Sequence, residues 1–333
     1  MPDRHHYVPV SLLKNFAPNQ KIWLYDKHEN KSFQTNIRNA FVEGDFNTVT
    51  GSGATLEAEQ IFTRAEDFAA PILQKLLSER HVRSLTIEER THLATFVAIQ
   101  HLRSKQSRKN FTLIREHIQE RFPSIPQSDL HIEGFSPSEV DKYSSLDFLA
   151  RYLTDLTHLV AQKHLLFIEI AGPGNFWISD HPVILHNDNP AGLASNRGFG
   201  VAGIQIYLPI SSSYAIAFFC PTILQELQNG ITKIDGIRSN FVRQSFAEGT
   251  VGTRTNLALA DLKNQQELLQ SQLADLRDQQ KVSFNKQNLL FLNSNQVLSA
   301  HRFVGSCENK FSLVADMLKT NPEIRSPSHI SFG

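Results

Sequence analysis

Along this chain the spacing of apolar side chains changes period, and each change marks a predicted element. Lys21-Ile22-Trp23-Leu24-Tyr25-Asp26 alternates with the two-residue period of a half-buried strand. His28 to Lys31 supplies turn chemistry, and Ser32 to Asn36 is the return strand of a hairpin. After the loop Gly51-Ser52-Gly53 the period lengthens. Leu56, Ile61, Phe62, Ala65, Phe68, Ala69, Ile72 and Leu76 recur at helical spacing, so helices are expected to dominate from about residue 54 to 164. Thr86-Ile87-Glu88-Glu89 has the form of a capping box, with Thr86 as N-cap and Glu89 at the third helical position. The helix it opens carries Leu93, Phe96, Val97, Gln100 and Arg103. Pro123 to Pro137 reads as a loop, and a further helix runs from about Ser144 to Lys163 with Leu146, Leu149, Leu153 and Leu156 along it.

Beyond residue 164 the pattern turns to strands: 165–170, 176–179 with 183–185, 203–210 and 214–220, with Gly172-Pro173-Gly174-Asn175 as a turn. Asn187 to Gly200 is a long loop rich in Asn, Gly and Pro, a length that tends to be functional or mobile. Leu262, Leu269, Leu273 and Leu276 line one side of a polar helix over 261–281. This reads as an amphipathic surface helix, with self-association through a coiled coil as the alternative. A last helix, 287–300, feeds a strand at Arg302-Phe303-Val304-Gly305. The expected architecture is α+β: an N-terminal β-hairpin, a central helical block, a mostly antiparallel sheet and C-terminal helices. We read residues 1–333 as a single domain whose first and last segments meet, with sub-regions 1–50, 54–164, 165–260 and 261–310.

Composition narrows the functional classes. Thirty-three Lys and Arg balance thirty-three Asp and Glu, so no net field drives the chain onto nucleic acid or anionic lipid. A nucleic-acid partner stays open only through a local basic patch such as Arg103 to Lys109. Cys220 and Cys307 are far apart and form no CxxC pair, which argues against a zinc ribbon or a disulfide framework. The N-terminus has no apolar leader, and the most apolar stretch, 159–171, is too short and too charged to span a bilayer. A soluble, cytoplasmic protein is expected, with a protein partner or homo-oligomer through 261–281 and no membrane association.

Three segments carry a resemblance: His5-His6-Tyr7-Val8-Pro9 with Leu13-Lys14-Asn15-Phe16, then Ala98 to Arg103 with Arg108, then Ile178-Ser179-Asp180-His181-Pro182-Val183. Together and in this order they resemble the bacterial family known as domain of unknown function 4238. In the third segment His181 stands where the family motif has Asn. The resemblance implies a prokaryotic protein, often of mobile-element or phage-defence settings, and no assigned reaction.

The residues supply the candidate chemistry. His6 with the following Tyr7-Val8-Pro9-Val10-Ser11 resembles part of an HNH-type nuclease, where a histidine acts as general base beside a divalent metal. Here His5 occupies the place of the acidic residue, and the other reading of His6 is a backbone-anchored ring. Asp180 sits at a strand end, a position suited both to a site and to an ordinary turn. His181 and His186 lie close to it in sequence, so a His/Asp metal set with His6 is one arrangement. Glu59 and Glu66 are seven apart on one helix face, with Glu57 elsewhere, and they are candidates to complete an oxygen-ligand site. Gln100 and Arg103 form a polar pair on an apolar helix; Arg103 is expected either to pair with Asp180 or to hold a phosphate.

Two readings follow. In the first, a metal-dependent hydrolase or nuclease-like effector uses His6, Asp180, Arg103 and Gln100 as catalytic groups. Mg or Mn is then held by His6, Asp180 and Glu59. In the second, a non-catalytic sensor or protein-interaction module uses the same His, Asp and Arg motifs as structure. No P-loop, GxSxG elbow or HExxH is present. Gly198 to Gly203 mimics GxGxxG but precedes a strand instead of following one.

Overall fold

The computed structural model describes residues 4–51, 54–121, 136–188 and 197–325. The predicted hairpin forms as β2 (Lys21–Asp26) and β3 (Lys31–Asn36), paired antiparallel with Leu24 opposite Phe33. The first and last segments do meet. β13 (Phe303–Ser306) pairs with β2, and β8 (Ile178–Ser179) adds on its far side, giving a four-stranded sheet in the order β3-β2-β13-β8. Gly305 sits where the strands crowd: a Cβ there would lie 3.1 Å from the Ile22 side chain.

A five-stranded sheet has the order β12-β7-β11-β10-β9, from β7 (His164–Ile170), β9 (Ile184–His186), β10 (Gln205–Pro209), β11 (Tyr214–Phe219) and β12 (Lys281–Phe284). All its pairings are antiparallel except β12 with β7. β7 is apolar on both faces and divides two cores. Leu165 and Phe167 join the N-terminal Tyr7, Leu12 and Phe16 together with Phe96 and Val97. Leu166 and Ile168 point the other way, to Tyr207, Phe284 and Leu292. This is the α+β fold that the pattern predicted.

The helical block comprises α2 (Glu59–Glu79), α3 (Ile87–Leu102), α4 (Lys105–Arg121) and α5 (Pro137–Ala161). The Thr86–Glu89 capping box forms as expected: Thr86 Oγ1 accepts from the Glu89 N–H at 3.1 Å and Glu89 Oε2 from the Thr86 N–H at 2.8 Å. Such a cap contributes about 1 kcal/mol.

Several elements depart from the pattern. Residues 54–57 form a strand, β6 (Ala54–Glu57), paired with β5 (Thr48–Gly51), so Leu56 and Glu57 do not belong to the helix. A short β1 (Arg4–His6) pairs with β4 (Val42–Gly44). α5 begins seven residues before Ser144, because Ser136 caps it and Pro137 occupies the first turn. The larger miss lies in 221–260, which is not sheet. α6 (Pro221–Ala247) and α7 (Thr253–Ala274) form an antiparallel helical hairpin, and the polar helix expected at 261–281 is its second arm. The chain then passes through a π-type turn, Asp275–Gln279, into β12. α8 (Lys286–Ser299) matches the last predicted helix, and α9 (Ser312–Thr320) follows β13. Most of the predicted loops at 123–137 and 187–200, and Ser52 with Gly53, lie outside the described residues. No helix among the described residues is long and apolar enough to cross a membrane.

Candidate functional site

The three motif segments converge on one joint between the N-terminus, the α3–α4 corner and the β8–β13 edge. Gln100 is buried on α3 and its side-chain amide donates to the Tyr7 carbonyl at 2.6 Å. Arg103 follows the last turn of α3, where its guanidinium is buried. It donates to Gln100 Oε1 at 2.7 Å and to Glu66 Oε1 at 2.6 Å, and lies over the Phe62 ring. The Tyr7 N–H donates to the Phe41 carbonyl at 3.0 Å. Glu66 on α2 is thus linked through Arg103 and Gln100 to Tyr7, the residue that follows the first strand. Burial pushes the Glu66 carboxyl up, against the pull of Arg103. Arg103 does not pair with Asp180.

Asp180 is fully buried at the end of β8. Its carboxylate accepts three backbone N–H groups at the start of β13: His301 at 2.7 Å, Arg302 at 2.7 Å and Phe303 at 2.8 Å. Burial pushes this carboxyl up, while the three donors and the nearby Lys27 pull it down. Lys27 is also buried. Its Nζ donates to Val297, Ala300 and Ile324 carbonyls at 2.9, 2.6 and 2.6 Å, the first two at the open end of α8. Burial lowers its pKa to about 8. Two opposite charges therefore staple the α8–β13 connection from both sides.

The adjacent histidines divide. His5 is buried, and its Nδ1 accepts the Asn47 N–H at 2.9 Å. Asn47, itself buried, donates to Glu59 Oε2 at 2.7 Å and accepts from Arg108 at 3.1 Å. His6 is half-buried, and its Nε2 lies 3.1 Å from the Arg38 carbonyl. Burial depresses its pKa, the Arg38 carbonyl opposes this, and Arg4 adds to the depression. His181 is buried with Nδ1 2.5 Å from Ser104 Oγ, its ring against His101. His186 instead reaches Asp188 at 2.8 Å.

The metal set drawn from the sequence, His6, Asp180 and Glu59, does not come together. Both Asp180 oxygens are taken by backbone donors, and no group of three His, Cys, Asp or Glu side chains among the described residues is placed to hold a metal ion. Of the proposed catalytic four, Gln100, Arg103 and Asp180 are sealed within hydrogen-bonded networks, and only His6 is partly accessible.

Sequence reasoning missed what lies beside the joint. His301 and His28 place their rings 6.1 Å apart. Lys105 lies over the Tyr7 ring and pairs with Glu43. Burial, then Lys105, Lys109, His28 and Lys27, push His301 down to about 4. These groups come from five separate segments, so no local spacing announced them. A neighbouring cleft of about 380 Å³ is walled by Glu43, Asp45, Lys105, Arg108, Lys109 and Lys142, among others. With Glu139 and Asp141 also in its lining, four carboxylates offset four basic side chains, so it presents no uniform field to a polyanion.

A family model described as Protein of unknown function (DUF4238) matches residues 4–308. The chain belongs to this family. No match was found among curated proteins or among solved structures. The DUF4238 match takes in all three motif segments and the His301–Phe303 backbone that Asp180 binds, so the joint lies wholly within the family region.

Proposed function

We propose that this DUF4238 protein is a non-catalytic interaction module whose His, Asp and Arg motifs are architectural. The observation that carries this reading is the Asp180 carboxylate, fully buried and accepting three backbone N–H groups. With three of its roughly four acceptor positions taken by backbone and no surface exposed, this carboxylate presents nothing to a substrate or metal. The metal-dependent hydrolase or nuclease reading needs Asp180 and Arg103 to face a ligand. His6, partly accessible and poised below its ordinary pKa, is the residue through which that reading survives. The unpaired thiols Cys220 and Cys307 suit a reducing compartment such as the cytoplasm.

The α6–α7 hairpin is the proposed contact arm. Its two helices are held together by sparse burial and a polar bridge in which Gln266 accepts from Arg238 at 2.7 Å and donates to Asp235 at 2.8 Å. Gly230 lets them close: a Cβ there would sit 3.1 Å from Leu269. Near the tip, Phe246 is 72% exposed and Leu257 66%. Large apolar groups left in water at the end of an arm fit a partner surface. The Phe246→Ser/Leu257→Ser variant should melt within about 1 °C of the parent, since exposed substitutions cost little. It should also lose partner co-purification and any concentration-dependent self-association in sedimentation. Retention of both associations would overturn the assignment of the arm.

A further inference from the structure

A second cavity, of about 480 Å³, lies at the base of the α6–α7 hairpin, between it, the five-stranded sheet and α8. It shares no residue with the motif joint. Tyr207 forms its inner wall, and three phenylalanines stand around that ring. Phe219 lies 5.6 Å away at 80°, Phe291 6.2 Å away at 73° and Phe284 6.3 Å away at 59°. Each of the three is set steeply to Tyr207 instead of stacked on it.

The polar part of the lining has one sign. Asp188 and Asp275 contribute carboxylates, and among the described residues none that lines the cavity is Lys or Arg. Asp188 is held by His186 at 2.8 Å and by the Gln205 side-chain amide at 2.7 Å, and Gln205 in turn accepts from the Tyr207 hydroxyl. His186 is packed edge-on against Phe291, 4.7 Å between ring centroids. The carboxylate is therefore fixed in place by a relay that ends on the inner wall. The His186–Asp188 pair resembles the orienting half of a nucleophilic site. Among the described residues none that lines the cavity is Ser, Thr, Cys or Lys, so they offer this pair no nucleophile to activate.

We propose that this cavity binds a compact organic cation, an alkylammonium carrying an apolar body. Aromatic walls attract a cation through the negative faces of their rings, and a methylated ammonium needs no hydrogen-bond acceptor from them. Asp188 then supplies field without having to release its existing partners, and Asp275, exposed at the rim, steers the charge inward. Ile223 and Leu227 of α6 and Leu276 also line the cavity, so the ligand would touch the sheet and the arm at once. The inference goes beyond the interaction reading and stands on none of the motif residues.

The test is a ligand-observed NMR titration of the full chain with benzyltrimethylammonium, its neutral carbon isostere neopentylbenzene, and benzoate. The cation should bind saturably, at least about tenfold tighter than either comparator. Asp275→Asn, a rim change that leaves the packing intact, should weaken it about threefold, and Asp188→Asn or Phe291→Ala by about fivefold or more. Absence of saturable cation binding up to about 10 mM would overturn the proposal. So would equal binding of the neutral isostere, a preference for benzoate, or indifference to all three substitutions. None of these outcomes bears on whether the motif joint is architectural.

Discussion

Replacing Asp180 with Asn exchanges one carboxylate oxygen for an NH2 at a site that offers only donors. Three backbone N–H groups, those of His301, Arg302 and Phe303, converge on the two oxygens at 2.7–2.8 Å. An amide has one acceptor oxygen, so at least one N–H is left facing another donor in a fully buried setting. Hydrogen bonds to a charged acceptor contribute about 1.5–3 kcal/mol each, and a stranded buried N–H costs about 1–3 kcal/mol. The buried Lys27 ammonium also loses its nearby negative charge. Taken with the losses seen when one member of a buried charged network is removed, the expected cost is about 3–5 kcal/mol. Unfolding entropy near 60 °C is about 2.1 cal/mol/K per residue, so in a chain of 333 residues each kcal/mol moves Tm by about 1.4 °C. Calorimetric melting at pH 7 should place Asp180→Asn about 4–7 °C below the parent. Amide exchange should accelerate at 301–303 and at the α8 end before it does in α3. A variant that melts within about 1 °C of the parent would refute the reasoning, because the carboxylate would then not be holding the β8–β13 edge.

Two further outcomes follow from the same joint. Glu66→Met leaves the Arg103 guanidinium buried beside Gln100 without its countercharge. It should cost about 3 kcal/mol, whereas Arg103→Met/Glu66→Met should recover at least half of that loss; strictly additive effects in the double-mutant cycle would contradict the pairing. Lys27 has a pKa near 8 when folded and about 10.4 when unfolded, so across that window the unfolded chain binds the proton that the native state lacks. Native stability relative to Lys27→Met should therefore rise from pH 8 to about pH 10, and a flat or falling difference between the two melting curves would count against the buried ammonium.

What the sequence made legible was periodicity. The alternation in Lys21 to Asp26, the capping box at Thr86 and the run at 287–300 each report a face or an end, and each formed where the pattern placed it. Partnership was not legible. Gln100 and Arg103 announced that two polar groups on an apolar stripe needed partners, but not that the partners were the Tyr7 carbonyl and Glu66 in place of Asp180. The contact that defines Asp180 spans more than 120 residues and goes to backbone, which carries no side-chain signature. α6 escaped notice because Gly230 and Gly236 interrupt a largely solvated helix, and the glycine at 230 is explained only by the approach of α7. Residues 54–57 carried apolar spacing that suited either period, and their pairing with β5 settled them as strand.

The claim that the motifs are architectural is tested most directly by assaying the purified full-length protein for phosphodiester cleavage. Single-stranded DNA, single-stranded RNA and bis(p-nitrophenyl) phosphate serve as substrates, each with Mg or Mn, with the parent compared against His6→Ala. The account predicts no turnover above the protein-free blank for either protein, and a loss of only about 1–2 °C in Tm for His6→Ala from its single hydrogen bond to the Arg38 carbonyl. Metal-dependent cleavage by the parent that disappears in His6→Ala, with the melting curve unchanged, would contradict it.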